Sequence, residues 1–236
     1  MPRAEPRSAR DGPGRGAAGR GGRGQGSTRQ GSTGQGGPGR AGSSGRTAAA
    51  PSRVRIVGGA WKRTLLPVAD LPGLRPTPDR VRETLFNWLG QDLSGWRCLD
   101  LYAGTGVLGF ECASRGAARV VLVERDPRAL AGLRAVRDRL DAGSVEIVAG
   151  DAQAALDRAG GPFDLVLLDP PYGSGELARV LPRVATRLAP GGAVYVESDR
   201  PLVQGAPPLA GEPAWGVHRA ARAGRVHYHL LHAGTG

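Results

Sequence analysis

Cys98-Leu99-Asp100-Leu101-Tyr102-Ala103-Gly104-Thr105-Gly106-Val107-Leu108-Gly109 decides the fold. A short apolar run, Cys98–Tyr102, reads as a buried strand. It breaks into glycines, and the apolar pattern resumes over Val107–Arg115 with the length of a helix. Strand, glycine-rich turn and helix build a ligand site at the carboxyl edge of a parallel sheet, where small residues let the backbone approach the ligand. The spacing is neither the dinucleotide pattern G-x-G-x-x-G nor the phosphate loop G-x-x-x-x-G-K-[ST]. Asp100, placed just before the glycines, suits a ligand carrying a positive amino group rather than a pyrophosphate.

Downstream the alternation continues. Strands are expected at Val120–Glu124, Val145–Val148, Phe163–Leu168 and Ala193–Glu197. Helices are expected at Pro127–Leu140, Ala152–Arg158 and Gly175–Leu188. Continuous apolar strands separated by helices indicate an α/β fold with a mostly parallel sheet covered on both faces. Trp215–Ala221 and Val226–Leu231 flank Gly224 with no helix between them, which predicts an antiparallel C-terminal hairpin. Upstream, residues 53–68 read as a small N-terminal β-hairpin turning near Gly58-Gly59. A loop follows, and Thr77 is expected to cap a helix over residues 77–90 with Pro78 at its first position. Val81, Leu85 and Leu89 form that helix's apolar stripe, leaving Arg80, Arg82 and Glu83 off it.

Residues 1–52 have another composition, without aromatic residues and rich in Gly, Arg and Ser. Such a segment buries too little apolar surface to offset its ordering entropy and is expected to be a disordered tail. It is read either as a loose RNA tether or as a solvated extension. The net charge is +11, and residues 1–53 carry ten Arg against Glu5 and Asp11, leaving only about +3 for residues 54–236, nearly all of the globular part (residues 53–236, with its core at 97–232). Cys98 and Cys112 sit in apolar stretches without metal-ligand spacing, and read as buried free thiols in a reducing, cytoplasmic setting. No metal site, transmembrane helix or membrane contact is expected, and the chain is expected to act as a monomer.

Three further strand ends carry chemistry. Glu124 can accept both hydroxyls of an unphosphorylated ribose. Asp151 can accept from an adenine amino group, or cap the helix that follows it; the two roles are compatible. Asp169-Pro170-Pro171-Tyr172 is the most informative. Two prolines make the turn rigid and remove two backbone donors, leaving carbonyls free. The exocyclic amine of a base is a poor nucleophile because its lone pair is delocalised into the ring. The Asp169 carboxylate and the Pro170 carbonyl would hold its N–H bonds and aim the lone pair at an activated methyl group, with Tyr172 stacking on the base.

With these residues in view, the chain resembles the class I methyltransferases, a Rossmann-like fold with a seven-stranded sheet. More narrowly it resembles the bacterial ribosomal RNA small subunit methyltransferase D family, from about Arg55 to His232. The resemblance rests on Arg55–Trp61, on the segment from Gly73-Leu74-Arg75-Pro76-Thr77-Pro78 to Leu89, on the Asp-Pro-Pro-Tyr turn and on Tyr195-Val196-Glu197-Ser198. It implies S-adenosylmethionine contacts by Asp100, Tyr102, Gly104, Thr105, Gly106, Glu124, Asp151 and Ala152, and amine binding by Asp169, Pro170, Pro171 and Tyr172. It implies that Arg75, Thr77, Arg80 and Arg82 face RNA. The implied activity is methylation of the N2 amine of a guanine (guanine 966) of 16S rRNA in the assembled or assembling small subunit. The long Gly/Arg tail departs from the family's compact form. From the residues alone the reading stops at an amino-group methyltransferase, and adenine-N6 methylation of RNA or DNA stays open beside guanine. Methylation of a protein glutamine amide also stays open, although Asp169 stands where that chemistry usually has Asn. So does a non-catalytic RNA-binding scaffold, against which the intact acidic and glycine positions argue.

Overall fold

The computed structural model describes residues 53–71, 73–211 and 213–234. The expectation for the tail, residues 1–52, lies outside the described residues.

The N-terminal hairpin pairs β1 (Arg53–Arg55) with β2 (Leu65–Pro67), antiparallel. Helix α1 (Asp79–Leu89) follows, then an alternation of β3 (Arg97–Asp100), α2 (Val107–Ser114), β4 (Arg119–Glu124), α3 (Pro127–Arg139), β5 (Val145–Ala149), α4 (Ala152–Arg158), β6 (Phe163–Leu168), α5 (Glu176–Ala185) and β7 (Leu188–Ser198). The chain closes with β8 (Trp215–Ala223) and β9 (Val226–Ala233). One seven-stranded sheet results, in the order β5-β4-β3-β6-β7-β9-β8, parallel through β7 and antiparallel from β9 on. This is the expected α/β architecture, with β9 inserted between β7 and β8 rather than at the edge. The order reverses between β3 and β6, and in open parallel sheets the crevice outside that switch point is where ligands bind.

Apolar side chains fill both faces of the sheet. Leu85, Phe86, Phe110 and Leu133 from α1, α2 and α3 pack with Cys98, Leu167 and Tyr195 on one face. Leu156, Val180 and Val184 from α4 and α5 pack with Leu99, Val166 and Val194 on the other. The two cysteines are buried and free, as expected.

Several boundaries differ for local reasons. Helix α5 ends at Ala185 rather than Leu188, because Leu188 pairs with Phe163 and opens β7. The N-cap of α1 is Pro78, not Thr77, and no side chain caps it. Thr77 is instead buried, with its hydroxyl donating to Glu197 at 2.9 Å. The Gly58-Gly59 pair lies in the hairpin connection, but the chain reverses further on, where Arg63 adopts a φ of 71° and its N–H donates to the Ile56 carbonyl. Close approach to the end of α2 explains the glycines. A Cβ on Gly59 would lie 1.9 Å from the Ser114 carbonyl oxygen, and one on Gly58 would lie 2.3 Å from an Arg115 guanidinium nitrogen.

The largest correction concerns Arg82, which the helical pattern places off the apolar stripe. It is completely buried. Its guanidinium donates to the carbonyls of Thr77 (3.0 Å) and Arg55 (2.7 Å), to Asp79 (2.6 Å) and to Glu111. Glu111, also completely buried, bonds Arg115 through its second oxygen and accepts from the Val57 N–H at 2.6 Å. The Arg115 guanidinium lies 3.8 Å from the centre of the Phe86 ring. This cluster fastens the hairpin and α1 to α2. Removing one partner of a buried ion pair leaves an uncompensated charge and costs about 3–5 kcal/mol. Glu111→Ala is therefore expected to destabilise the protein by that order in chemical denaturation. Glu146→Ala, which removes the exposed carboxylate paired with Arg119, should cost less than about 1 kcal/mol.

Candidate active site

Strand register builds the site. In parallel sheets alternate residues share a face, and neighbouring strands lie about 4.8 Å apart. Leu122, Asp100 and Leu167 are cross-strand partners, and Leu167 is in turn opposite Tyr195. Two residues beyond Leu122, Leu167 and Tyr195 on the same face stand Glu124, Asp169 and Glu197. Four carboxylates thus line the carboxyl edge of β4, β3, β6 and β7 on the face that α1 and α2 cover. Such a row attracts a cationic ligand.

Their surroundings differ. Asp100 is buried, and burial pushes its carboxyl up to about 7, with Glu124 and Glu197 adding repulsion. Burial also raises Asp169, and the nearby Glu197 and Asp100 charges raise it further. Burial raises Glu197 too, opposed by the hydrogen bonds from Thr77 and Tyr195. Glu124 is committed to shaping the turn. One oxygen accepts from the Gly104 N–H at 2.8 Å, the other from the N–H groups of Arg125 (2.7 Å) and Asp126 (2.8 Å).

The glycines have separate reasons. Gly106 holds the left-handed position before α2, with φ 74°, and a Cβ there would meet Leu133 at 2.4 Å. Gly109 lets α2 sit on β4, since its Cβ would lie 2.2 Å from a Leu122 methyl. Gly104 has φ 52° and lies beneath Leu74, whose methyl would be 2.9 Å from an added Cβ. The loop ahead of α1 therefore reaches over the glycine turn.

The remaining predicted residues rim this crevice. Thr105 accepts from the Val107 N–H at 3.3 Å, at the start of α2. Tyr102 donates its hydroxyl to Glu176 at 3.1 Å, and burial with that neighbouring charge raises its phenol. Asp151 caps α4 by accepting from the Gln153 N–H at 2.8 Å. Ala152 buries its side chain in the core, so its backbone is what it can offer a ligand.

At the Asp169 turn, no donor reaches the Asp169 carboxylate or the Pro170 carbonyl among the described residues. The Pro171 carbonyl is not free as expected, because the Ser174 hydroxyl donates to it at 2.6 Å and tightens the turn. Tyr172 is half exposed, at 49%. Arg75 and Arg80 are exposed, whereas Thr77 and Arg82 are buried and present nothing to an RNA surface. Glu197 and Tyr195 were missed as site residues. The available signal was the acid closing the apolar run of β7, next in register to Asp169. A shallow cleft of about 260 Å³ beside Trp88, Trp96 and His218 lies at the opposite edge of the sheet, away from this chemistry.

Sheet order, switch-point crevice and glycine turn define a Rossmann-like fold of the class I methyltransferase kind. The family described as "Conserved hypothetical protein 95" matches residues 54–232. "Ribosomal RNA small subunit methyltransferase D" of Escherichia coli is 41% identical over 180 residues, covering 75% of this chain and 89% of that protein. Its Haemophilus influenzae namesake is 38% identical, covering 67% and 86%. The solved structure "Putative methyltransferase yhhF from Escherichia coli" superposes with a TM-score of 0.67 at 39% identity, covering 77% of this chain and 98% of that one. The chain belongs to the ribosomal RNA small subunit methyltransferase D family.

Asp100 has a testable pH signature. Its folded value lies above the unfolded one, so the folded protein binds more protons between them. Its stabilising contribution is present below the unfolded value and is lost as pH rises through about 7. Thermal midpoints of the ligand-free protein are expected to fall from about pH 5 to about pH 8. Asp100→Asn should flatten that fall, measured in parallel with wild type.

Proposed function

We propose that this protein methylates the exocyclic N2 amine of a guanine in 16S rRNA, using S-adenosylmethionine. The observation that carries the reading is the Asp169-Pro170 acceptor pair, at the acidic row and without a donor among the described residues. The relatives' names supply the RNA, and the guanine amine, guanine 966 among possible sites, comes from the resemblance of the Gly73–Leu89 segment.

The residues fit the cofactor. Glu124 is held rigidly by three backbone donors and keeps lone pairs for ribose hydroxyls. Asp100 faces the same crevice and would pair with an amino group. Asp151 and the Ala152 backbone stand at the end of β5 for the adenine. When bound, S-adenosylmethionine supplies a methyl group on a sulfonium, which departs as a neutral thioether.

The chain's own work is positioning. The Asp169 carboxylate and the Pro170 carbonyl accept the two N–H bonds of the target amine and turn its lone pair toward the methyl group. Tyr172, half exposed, stacks on the base and fixes its plane. Asp169, whose carboxyl is raised by burial, takes the proton that leaves the nitrogen after methylation. The loop ahead of α1 lays Leu74 over Gly104 and covers part of the glycine turn. Arg75 on the loop ahead of α1 and Arg80 in its first turn offer exposed positive charge for phosphates of a preformed small-subunit surface.

Labelled methyl transfer to rRNA and to small subunits from cells lacking the enzyme, followed by nucleoside analysis, tests the reading. N2-methylguanosine in 16S rRNA is the expected product. N6-methyladenosine, labelled protein or no transfer would replace it with the corresponding alternative. Asp169→Ala should abolish transfer and leave cofactor binding within a few-fold. Neutralising Arg75 and Arg80 should weaken substrate binding and make its salt dependence shallower by about one to two counterions in the log–log slope. An unchanged slope would take them off the RNA face.

A further inference from the structure

The site holds a second carboxylate that amine positioning alone does not require. Glu197, the penultimate residue of β7, follows Val196, which pairs with Leu168, and so stands directly beside Asp169 on the same face. The residue is 3% exposed. Its Oε1 accepts from Thr77 at 2.9 Å and from Tyr195 at 3.0 Å. Both donors fix the carboxylate's orientation, because Thr77 and Tyr195 are themselves buried. Among the described residues no donor reaches Oε2. Among the described residues the sealed side-chain polar atoms without partners are Arg115 Nε and His229 Nδ1, so Oε2 is not sealed and keeps an opening. A nearly buried carboxylate oxygen left without a partner in a ligand crevice calls for a donor from the ligand.

We propose that Glu197 selects guanine, its Oε2 accepting the N1–H of the base whose N2 amine Asp169 holds. This rests on the guanine-N2 reading above. Guanine presents two adjacent donors on its Watson–Crick edge, the N1–H and the N2 amine. Adenine presents an amine beside N1, which is an acceptor. Asp169 and Glu197 stand side by side on neighbouring strands and face one crevice, so each can take one of the two donors of that edge. Against adenine, the second carboxylate would face a lone pair and stay desolvated without a partner, the arrangement that gives strong rejection of an analogue. Thr77 thereby acquires a role that its burial alone leaves unexplained. It is the positioning residue that couples the loop ahead of α1 to the base pocket.

The test pairs one variant with one base analogue. In Glu197→Gln the amide oxygen can keep the bonds from Thr77 and Tyr195, and the NH₂ group replaces Oε2 with a donor. 2-Aminopurine keeps the N2 amine and replaces N1–H with an acceptor. Small subunits are reconstituted with guanine or 2-aminopurine at the nucleotide located by mass mapping of nuclease fragments of the methylated rRNA, and transfer is measured with the full-length chain. Wild type is expected to favour guanine by about 100-fold in kcat/KM, the size of one hydrogen bond to a charged acceptor. Glu197→Gln is expected to lose about 100-fold on guanine and to hold or gain on 2-aminopurine, collapsing the ratio. S-adenosylhomocysteine affinity and the thermal midpoint should stay near wild type. Since 2-aminopurine also lacks O6, it is the change in ratio between the two enzymes that reports on N1. An unchanged ratio in the variant, or equal losses on both bases, would overturn the proposal by assigning Glu197 a structural role only. Equal transfer to both bases by wild type would overturn it without any variant. No transfer by wild type to either subunit would bring down the guanine-N2 reading itself, and the proposal with it.

Discussion

Arg82 and Arg115 share the two oxygens of Glu111 in a place where none of the three is open to solvent. Charges there are tolerable only if every proton and lone pair is engaged, because desolvation otherwise exceeds the Coulombic gain. The cluster comes close to that condition by recruiting backbone from outside the sheet. Arg82 takes the carbonyls of Arg55 and Thr77, and Glu111 takes the Val57 N–H. Satisfying these ions therefore draws the N-terminal hairpin and the loop ahead of α1 onto the end of α2. That docking carries Leu74 over Gly104 and Thr77 onto Glu197. The shape of the crevice depends on an ion cluster outside it.

The crevice has the opposite electrostatic character. Asp100, Asp169 and Glu197 crowd at one sheet edge with no arginine paired to any of them among the described residues. Burial and mutual repulsion push their carboxyls up. A ligand bringing positive charge and N–H donors offsets that repulsion and desolvation. The protein thus separates its ionic tasks, with paired charges joining elements on one side and carboxylates without an ionic partner facing the ligand crevice on the other.

Much of the frame was legible because strand ends are marked by local chemistry. The Asp100–Gly106 turn, Glu124, Asp151 and Asp169 each end an apolar run, and parallel topology brings such ends to one edge. Helix α4 and strand β6 fall on the expected residues, since Asp151 caps the one and unbroken apolar sequence defines the other. Periodicity failed where a polar side chain goes inward. Arg82 lies outside the Val81–Leu85–Leu89 stripe by type and inside the core in fact, because its hydrogen-bond partners come from residues 55, 77, 79 and 111. Thr77 looks like a helix cap and is not one, since Glu197, distant in sequence, offers its hydroxyl a buried carboxylate.

What the sequence by itself determined is the alternation of strands and helices, the glycine turn and the acids that end each strand. These follow from short-range sterics, apolar periodicity and turn chemistry. Only the tertiary structure decided which acids share a face, which arginines reach solvent and which carbonyls remain free. Asp169 keeps its acceptors while Pro171 gives its carbonyl to Ser174, and Arg75 stays exposed while Arg82 is sealed. The physical reason is common to all of them. The fate of a polar group depends on partners that only strand register and helix docking bring within hydrogen-bond distance.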